Sequence, residues 1–157
     1  MKKTIKILAI LLFSPTSIFG QDISSTDSLK VVKTFETLFV AIETDDMDTL
    51  TNISTDRIYC IICSDYPDLT DSPYIFDKKA FLKNHLEKIK NSEPYQRATK
   101  SDKLILVRGN DHRTDITAFW TIYKQDELAP GHEGVQFGVH FKKVNGEFKF
   151  AGMETIP

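Results

Sequence analysis

The period of the apolar residues changes once along this chain, and that change limits what it can fold into. Beyond about residue 103 the pattern is one of alternation. Thr114 to Lys124 sets Ile116, Ala118, Trp120 and Ile122 against Thr117, Phe119, Thr121 and Tyr123, and Val135 to Phe141 sets Val135, Phe137, Val139 and Phe141 against Gln136, Gly138 and His140. A period of two belongs to strands with one buried face. Val144-Asn145-Gly146-Glu147 supplies the Asn-Gly pair that a two-residue hairpin favours, because both turn positions need positive φ. A last strand is expected from Phe148 to about Met153. Ahead of these, Lys103 to Val107 is apolar at Leu104, Ile105, Leu106 and Val107 and reads as a strand covered on both sides, stopped by Gly109-Asn110-Asp111.

The first two thirds of the chain keep mainly to helical spacing. Leu29, Val32, Phe35, Phe39 and Ile42 recur at steps of three and four, widened by Val31 and Leu38, with Val40 off the stripe. This helix ends at Thr44-Asp45-Asp46. A second, shorter one follows through Met47, Leu50 and Ile53, with Asp45 or Asp46 as its cap. Asp56 to Cys63 contains the run Ile58-Tyr59-Cys60-Ile61-Ile62 and reads as a short strand, and Ser64 to Ser72 as loop. Phe76-Asp77 precedes a third helix, with Ala80, Phe81, His85 or Leu86, and Ile89 on one side through about Lys90; Asn91 to Ser101 is expected to be loop.

The first twenty residues stand apart. Lys2, Lys3 and Lys6 precede the uncharged run Ile7 to Phe13, Ser14-Pro15 breaks it, and Gly20 precedes Gln21. These are the parts of a secretory signal peptide, so residues 1–20 are expected to be removed and 21–157 to form a single domain. The run is too short to span a bilayer, which takes about 18 apolar residues or more. The expected address is periplasmic or secreted. Without the leader, 17 basic residues face 22 acidic ones, a net charge of −5. A negative domain with dispersed lysines and arginines does not suit a phosphate backbone, and nucleic acid is excluded as a partner.

Long helix, short helix, strand, third helix and then several antiparallel strands is an order that resembles the nuclear transport factor 2-like superfamily. The resemblance is carried by Glu43-Thr44-Asp45-Asp46-Met47-Asp48-Thr49-Leu50, by Val135-Gln136-Phe137-Gly138-Val139-His140-Phe141 and by Asn145-Gly146-Glu147-Phe148-Lys149-Phe150, and it spans residues 28 to 155. It implies an α+β fold, three N-terminal helices packed on a curved, mainly antiparallel sheet, in an exported bacterial member. It also implies a pocket between helices and sheet, used in the superfamily for isomerase, dehydratase or hydrolase chemistry or for binding alone; fold does not choose among these.

Phe35, Phe39, Trp120, Phe137 and Phe141 are the residues such a pocket would be lined with, although aromatics at these spacings are more often core. The stripe of the first helix and the apolar faces of the two alternating strands carry no ionisable residue. The reading is therefore a non-catalytic domain binding a small apolar or amphipathic ligand. An enzyme of the superfamily's kind and an exported inhibitor-like module that binds another protein are the alternatives, and a homodimer stays open. No cofactor motif is present. His85, His112, His132 and His140 lack the spacing of a metal site, and each is expected to be solvated or locally hydrogen-bonded. Arg108, Asp111, His112, Arg113 and Asp115 crowd one turn, most simply a solvated one, otherwise an anion or partner site. Cys60 and Cys63 can form a disulfide only if the chain turns at Ile61-Ile62. Residues three apart in a strand lie about 10 Å apart, and β-branched residues are poor turn centres, so the strand has the edge.

Overall fold

In the computed structural model, residues 23–63, 74–101, 104–109 and 113–157 are described. The leader, the segment read as loop from Ser64 to Ser72, and Asn110, Asp111 and His112 lie outside these residues. The first helix, α1 (Ser25–Glu43), begins where the Ser24 hydroxyl accepts the Asp27 N–H, 3.1 Å away. It buries Val31, Leu38, Ala41 and Ile42. The buried face is rotated from the expected stripe, so that Leu29 and Val40 are exposed while Phe35 and Phe39 are half-buried. Asp45, at φ 55°, turns the chain, and the Asp46 carboxylate caps α2 (Met47–Ile53) by accepting the Thr49 N–H at 3.0 Å.

Strand β1 (Ser54–Cys60) follows without a break and is shorter at its end than expected, because Ile61–Cys63 forms a 3-10 turn. A short β2 (Ile75–Asp77) leads into the third helical region. That region is two helices, α3 (Lys78–Asn84) and α4 (Leu86–Lys90), divided at His85. The stretch expected to be loop contains α5 (Glu93–Ala98): Ser92 caps it, Pro94 sits in its first turn, where a missing N–H costs nothing, and Tyr95 and Ala98 are its buried residues. The remaining strands are β3 (Leu104–Arg108), β4 (Ile116–Tyr123), β5 (Val135–Val144) and β6 (Glu147–Ile156). Asn145 and Gly146, at φ 52° and 85°, form the expected tight hairpin.

The six strands make one sheet in the order β2-β1-β6-β5-β4-β3, antiparallel except where β1 runs parallel to β6. Between β5 and β6 the register slips, His140 opposing Gly152 while Phe141 opposes Phe150, a bulge of the kind that bends a sheet. Among the described residues the five α-helices precede β3, and the helical face of the sheet holds Ile58, Ala118, Trp120, Phe137, Val139, Phe141 and Met153, each buried. Contacts such as Phe35 on Trp120 and Phe81 on Phe150, with ring centroids 5.0 and 5.8 Å apart, join the two layers. This is an α+β architecture of helices against a curved, mainly antiparallel sheet, as expected. One expectation is corrected at its edge. Among the described residues β3 pairs with β4 alone, at the edge of the sheet, and one of its faces is uncovered: Ile105 and Val107 keep 40% and 45% of their surface exposed.

Candidate functional site

Between α1, α5 and the sheet, aromatic rings occupy the space where a ligand pocket was expected. Phe39 stacks on Tyr95 at 5.3 Å, Phe35 and Phe39 lie 5.0 and 5.6 Å from Trp120, and Phe137 lies 6.5 Å from Trp120 and 6.3 Å from Tyr95. Phe137 and Phe141 are fully buried. They belong to the packed floor and do not reach the surface; α5, absent from the sequence reading, brings Tyr95 against Phe137. A groove of about 280 Å³ remains at the mouth, lined by Phe35, Phe39, Val40 and Trp120 with Glu36, Thr99 and Ser101. The Tyr95 hydroxyl is buried with no aligned hydrogen-bond partner; burial first, and then the nearby Glu43 carboxylate, push it far above the phenol range.

The opposite face of the sheet carries a second feature, and the register assembles it. Val107, Thr117, His140, Gly152 and Tyr59 are successive cross-strand partners from β3 to β1. Alongside them Ile105, Phe119, Gly138 and Glu154 form the neighbouring row. Each row contains a glycine whose place is taken by a neighbour: a Cβ on Gly138 would meet the Phe119 ring at 2.7 Å, and one on Gly152 would run into the Tyr59 carbonyl. Beside the Phe119 and Tyr59 side chains lies a recess of about 270 Å³.

His140 is 8% exposed at its floor. Its Nδ1 shares a 2.9 Å hydrogen bond with the Thr117 hydroxyl, and Glu154 Oε1 lies 3.2 Å from its Nε2, close enough for an ion pair but without the alignment of a hydrogen bond. The pair can hold and pass a proton. Arg108 and Arg113 reach the same recess, and the Arg113 guanidinium sits 4.7 Å from the centre of the Tyr59 ring. Burial raises the Tyr59 pKa, the Glu154 charge adds to this, and Arg113 opposes it. Arg113 is placed by its neighbours: Thr114 donates its hydroxyl to the carbonyls of Ile116 and Phe141, and Asp115 accepts the Lys143 N–H at 2.7 Å.

Sequence reasoning singled out His140 and the charged turn separately; the structure brings Arg108 and Arg113 of that turn to the same recess as His140. Tyr59, Thr117 and Glu154 were missed. The one signal for them was their position on the polar side of each alternation. Of the other histidines, His85 packs against Phe76 at 4.4 Å and His132 accepts the Gly134 N–H at 3.4 Å. Among the described residues no cluster of His, Cys, Asp or Glu could hold a metal ion, and no helix is long and apolar enough to cross a membrane. The turn at Ile61–Cys63 brings the Cys60 and Cys63 Cα atoms to 5.4 Å, and the two are joined by a disulfide. The strand preference at that point is thereby corrected. Ile62 packs against the core, so burial outweighs the poor turn propensity of the two isoleucines.

Fold and site together define an α+β domain with an aromatic groove on one side of its sheet and a polar recess on the other. No protein-family model and no curated protein sequence matches the chain. Among solved structures it is similar to a substituted form of a protein named Rd1NTF2_05, with 16% identity and a TM-score of 0.48 over 85% of this chain and all of that one.

Proposed function

We propose that this protein is an exported, non-catalytic binding domain that holds a small apolar or amphipathic ligand in the groove over Phe35, Phe39 and Trp120. The observation that carries the reading is a floor of aromatic edges open to the surface, with Glu36, Thr99 and Ser101 at its rim to orient a polar end. Among the described residues lining the groove Glu36 is the ionisable one, and acid–base chemistry there would need a second. Titration of the full chain with the neutral dye N-phenyl-1-naphthylamine tests it. Saturable binding with a blue shift is expected, weakened roughly tenfold in Phe35→Gln, as the loss of one aromatic contact dictates. Equal affinity in that variant would refute the groove. Export is tested by the mass of the mature protein, expected to begin at Gln21 in a soluble periplasmic or secreted fraction.

A second reading, an acid–base enzyme, has one observation in its favour, the approach of His140 to Glu154 in the recess. Turnover abolished by Glu154→Gln, with dye binding in the groove unchanged, would establish it.

A further inference from the structure

The face of the sheet away from the helices brings Thr117, His140 and Glu154 together across β4, β5 and β6. Thr117 and His140 are direct cross-strand partners, and Glu154 stands two residues beyond Gly152, the partner of His140 on its other side. Thr117 and His140 are buried, and Glu154 is half-buried. Both imidazole nitrogens are withdrawn from the recess. Nδ1 is engaged with the Thr117 hydroxyl in a buried 2.9 Å hydrogen bond, and Nε2 is itself buried, 3.2 Å from Glu154 Oε1. Glu154 lines the recess, so a molecule there meets the carboxylate and not a ring nitrogen.

The proton of a neutral imidazole sits on one nitrogen or the other, and the neighbours decide which. The Thr117 hydroxyl both donates and accepts, so it suits either tautomer. An ionised carboxylate only accepts. At 3.2 Å a bare Nε2 would set its lone pair against the Glu154 oxygen, whereas an N–H at that position is attracted to it, and burial strengthens the difference. The proton therefore belongs on Nε2, and the Thr117 hydroxyl is left to donate to Nδ1.

We propose that these three residues act as one unit in which Glu154 is the proton acceptor, His140 orients Glu154, and Thr117 orients His140. The proposal rests on the acid–base reading of the recess and assigns its roles. A proton leaving a molecule in the recess passes to the Glu154 carboxylate, which becomes a neutral carboxylic acid, while the ring keeps its single proton throughout. Histidine, the side chain most often used as a general base, is here a positioning residue.

The test is the nitrogen NMR spectrum of the His140 side chain in the full chain, recorded on the neutral ring at the alkaline end of its titration. A protonated and a bare ring nitrogen are well separated there. The parent is expected to carry its proton on Nε2 alone, with a hydrogen-bonded Nδ1. Glu154→Leu removes the acceptor that selects the tautomer, and the second tautomer should appear. Thr117→Val should keep the proton on Nε2 and move the Nδ1 signal to that of a nitrogen without a hydrogen bond. Thr117→Ser, which keeps the hydroxyl and loses the methyl, should leave that signal as in the parent; a packing role alone would reverse the order of the two variants. A proton on Nδ1 in the parent would overturn the proposal. So would a single unchanged tautomer in folded Glu154→Leu, or an Nδ1 signal that follows the methyl and not the hydroxyl. The acid–base reading is judged apart from these spectra, by turnover. Turnover lost in Glu154→Gln beside an Nδ1 proton in the parent would keep that reading and make His140 the base. Turnover unaffected by Glu154→Gln would refute that reading and the acceptor role of Glu154 with it.

Discussion

Trp120 touches the rings of Phe35, Phe39 and Phe137 and keeps 3% of its surface exposed. Its truncation would empty the meeting point of α1 and the sheet. Trp120→Ala is expected to cost about 3–5 kcal/mol, measured by denaturant unfolding. The burial was legible in the sequence, since Trp120 shares the alternating face of Ile116, Ala118 and Ile122. Neighbours of the recess were not. Tyr59, Thr117, His140 and Glu154 come from four strands, and only the register, Thr117 opposite His140 and His140 opposite Gly152 opposite Tyr59, makes them one group. A shift of one residue in any strand would send its member to the other face. Gly138, inside an alternating strand, marks the place where the Phe119 ring lies on the backbone.

At the scale of elements, the helix caps were legible and the short helices were not. Asp46 caps α2 through the Thr49 N–H and hydroxyl, and these hydrogen bonds lower its pKa, the backbone one foremost. A carboxyl with a depressed folded pKa contributes stability that is present above its ordinary value of 3.8 and is lost as pH falls through the folded value. Asp46→Asn keeps an acceptor at the cap and removes the charge. Its deficit relative to the parent is therefore expected to shrink as pH falls from about 5 to about 2, read as unfolding midpoints at each pH. By contrast α5 offers Tyr95 and Ala98 as its apolar signal across six residues, too little for a period to show. Its place is decided by what lies beneath it, Phe137 and the ring of Phe39. The Cys60–Cys63 turn is a similar case, since local propensity disfavoured it and the packing of Ile62 did not. The bond closes a very short loop, so replacing both cysteines with serine should cost no more than about 2 kcal/mol and leave dye binding in the groove unchanged. Thiol titration of the unfolded, unreduced protein should find no free sulfhydryl.

The whole molecule is a sheet with two unlike faces. One is closed by five helices through an aromatic layer. The other keeps Ile105 and Val107 exposed and carries the recess around His140. Surface ties bind the ends of the layers, Lys30 to Gly146 and Glu147, Lys143 to Asp27, and Lys90 to Glu43 and Asp45. Exposed pairs of this kind contribute little each, so the aromatic layer and the sheet hold the fold. In the strand order, the C-terminal strand β6 lies between β1 and β5 near the centre of the sheet. The first strand therefore has no partner on that side until the last has formed. As the chain is made, β1, β2 and all five helices emerge before the strand that joins them to the rest, and pairing across so long a stretch of sequence is slow. A chain ending before Glu147 would hold every helix of the described residues and still leave β1 and β5 each without the partner that joins the two parts of the sheet.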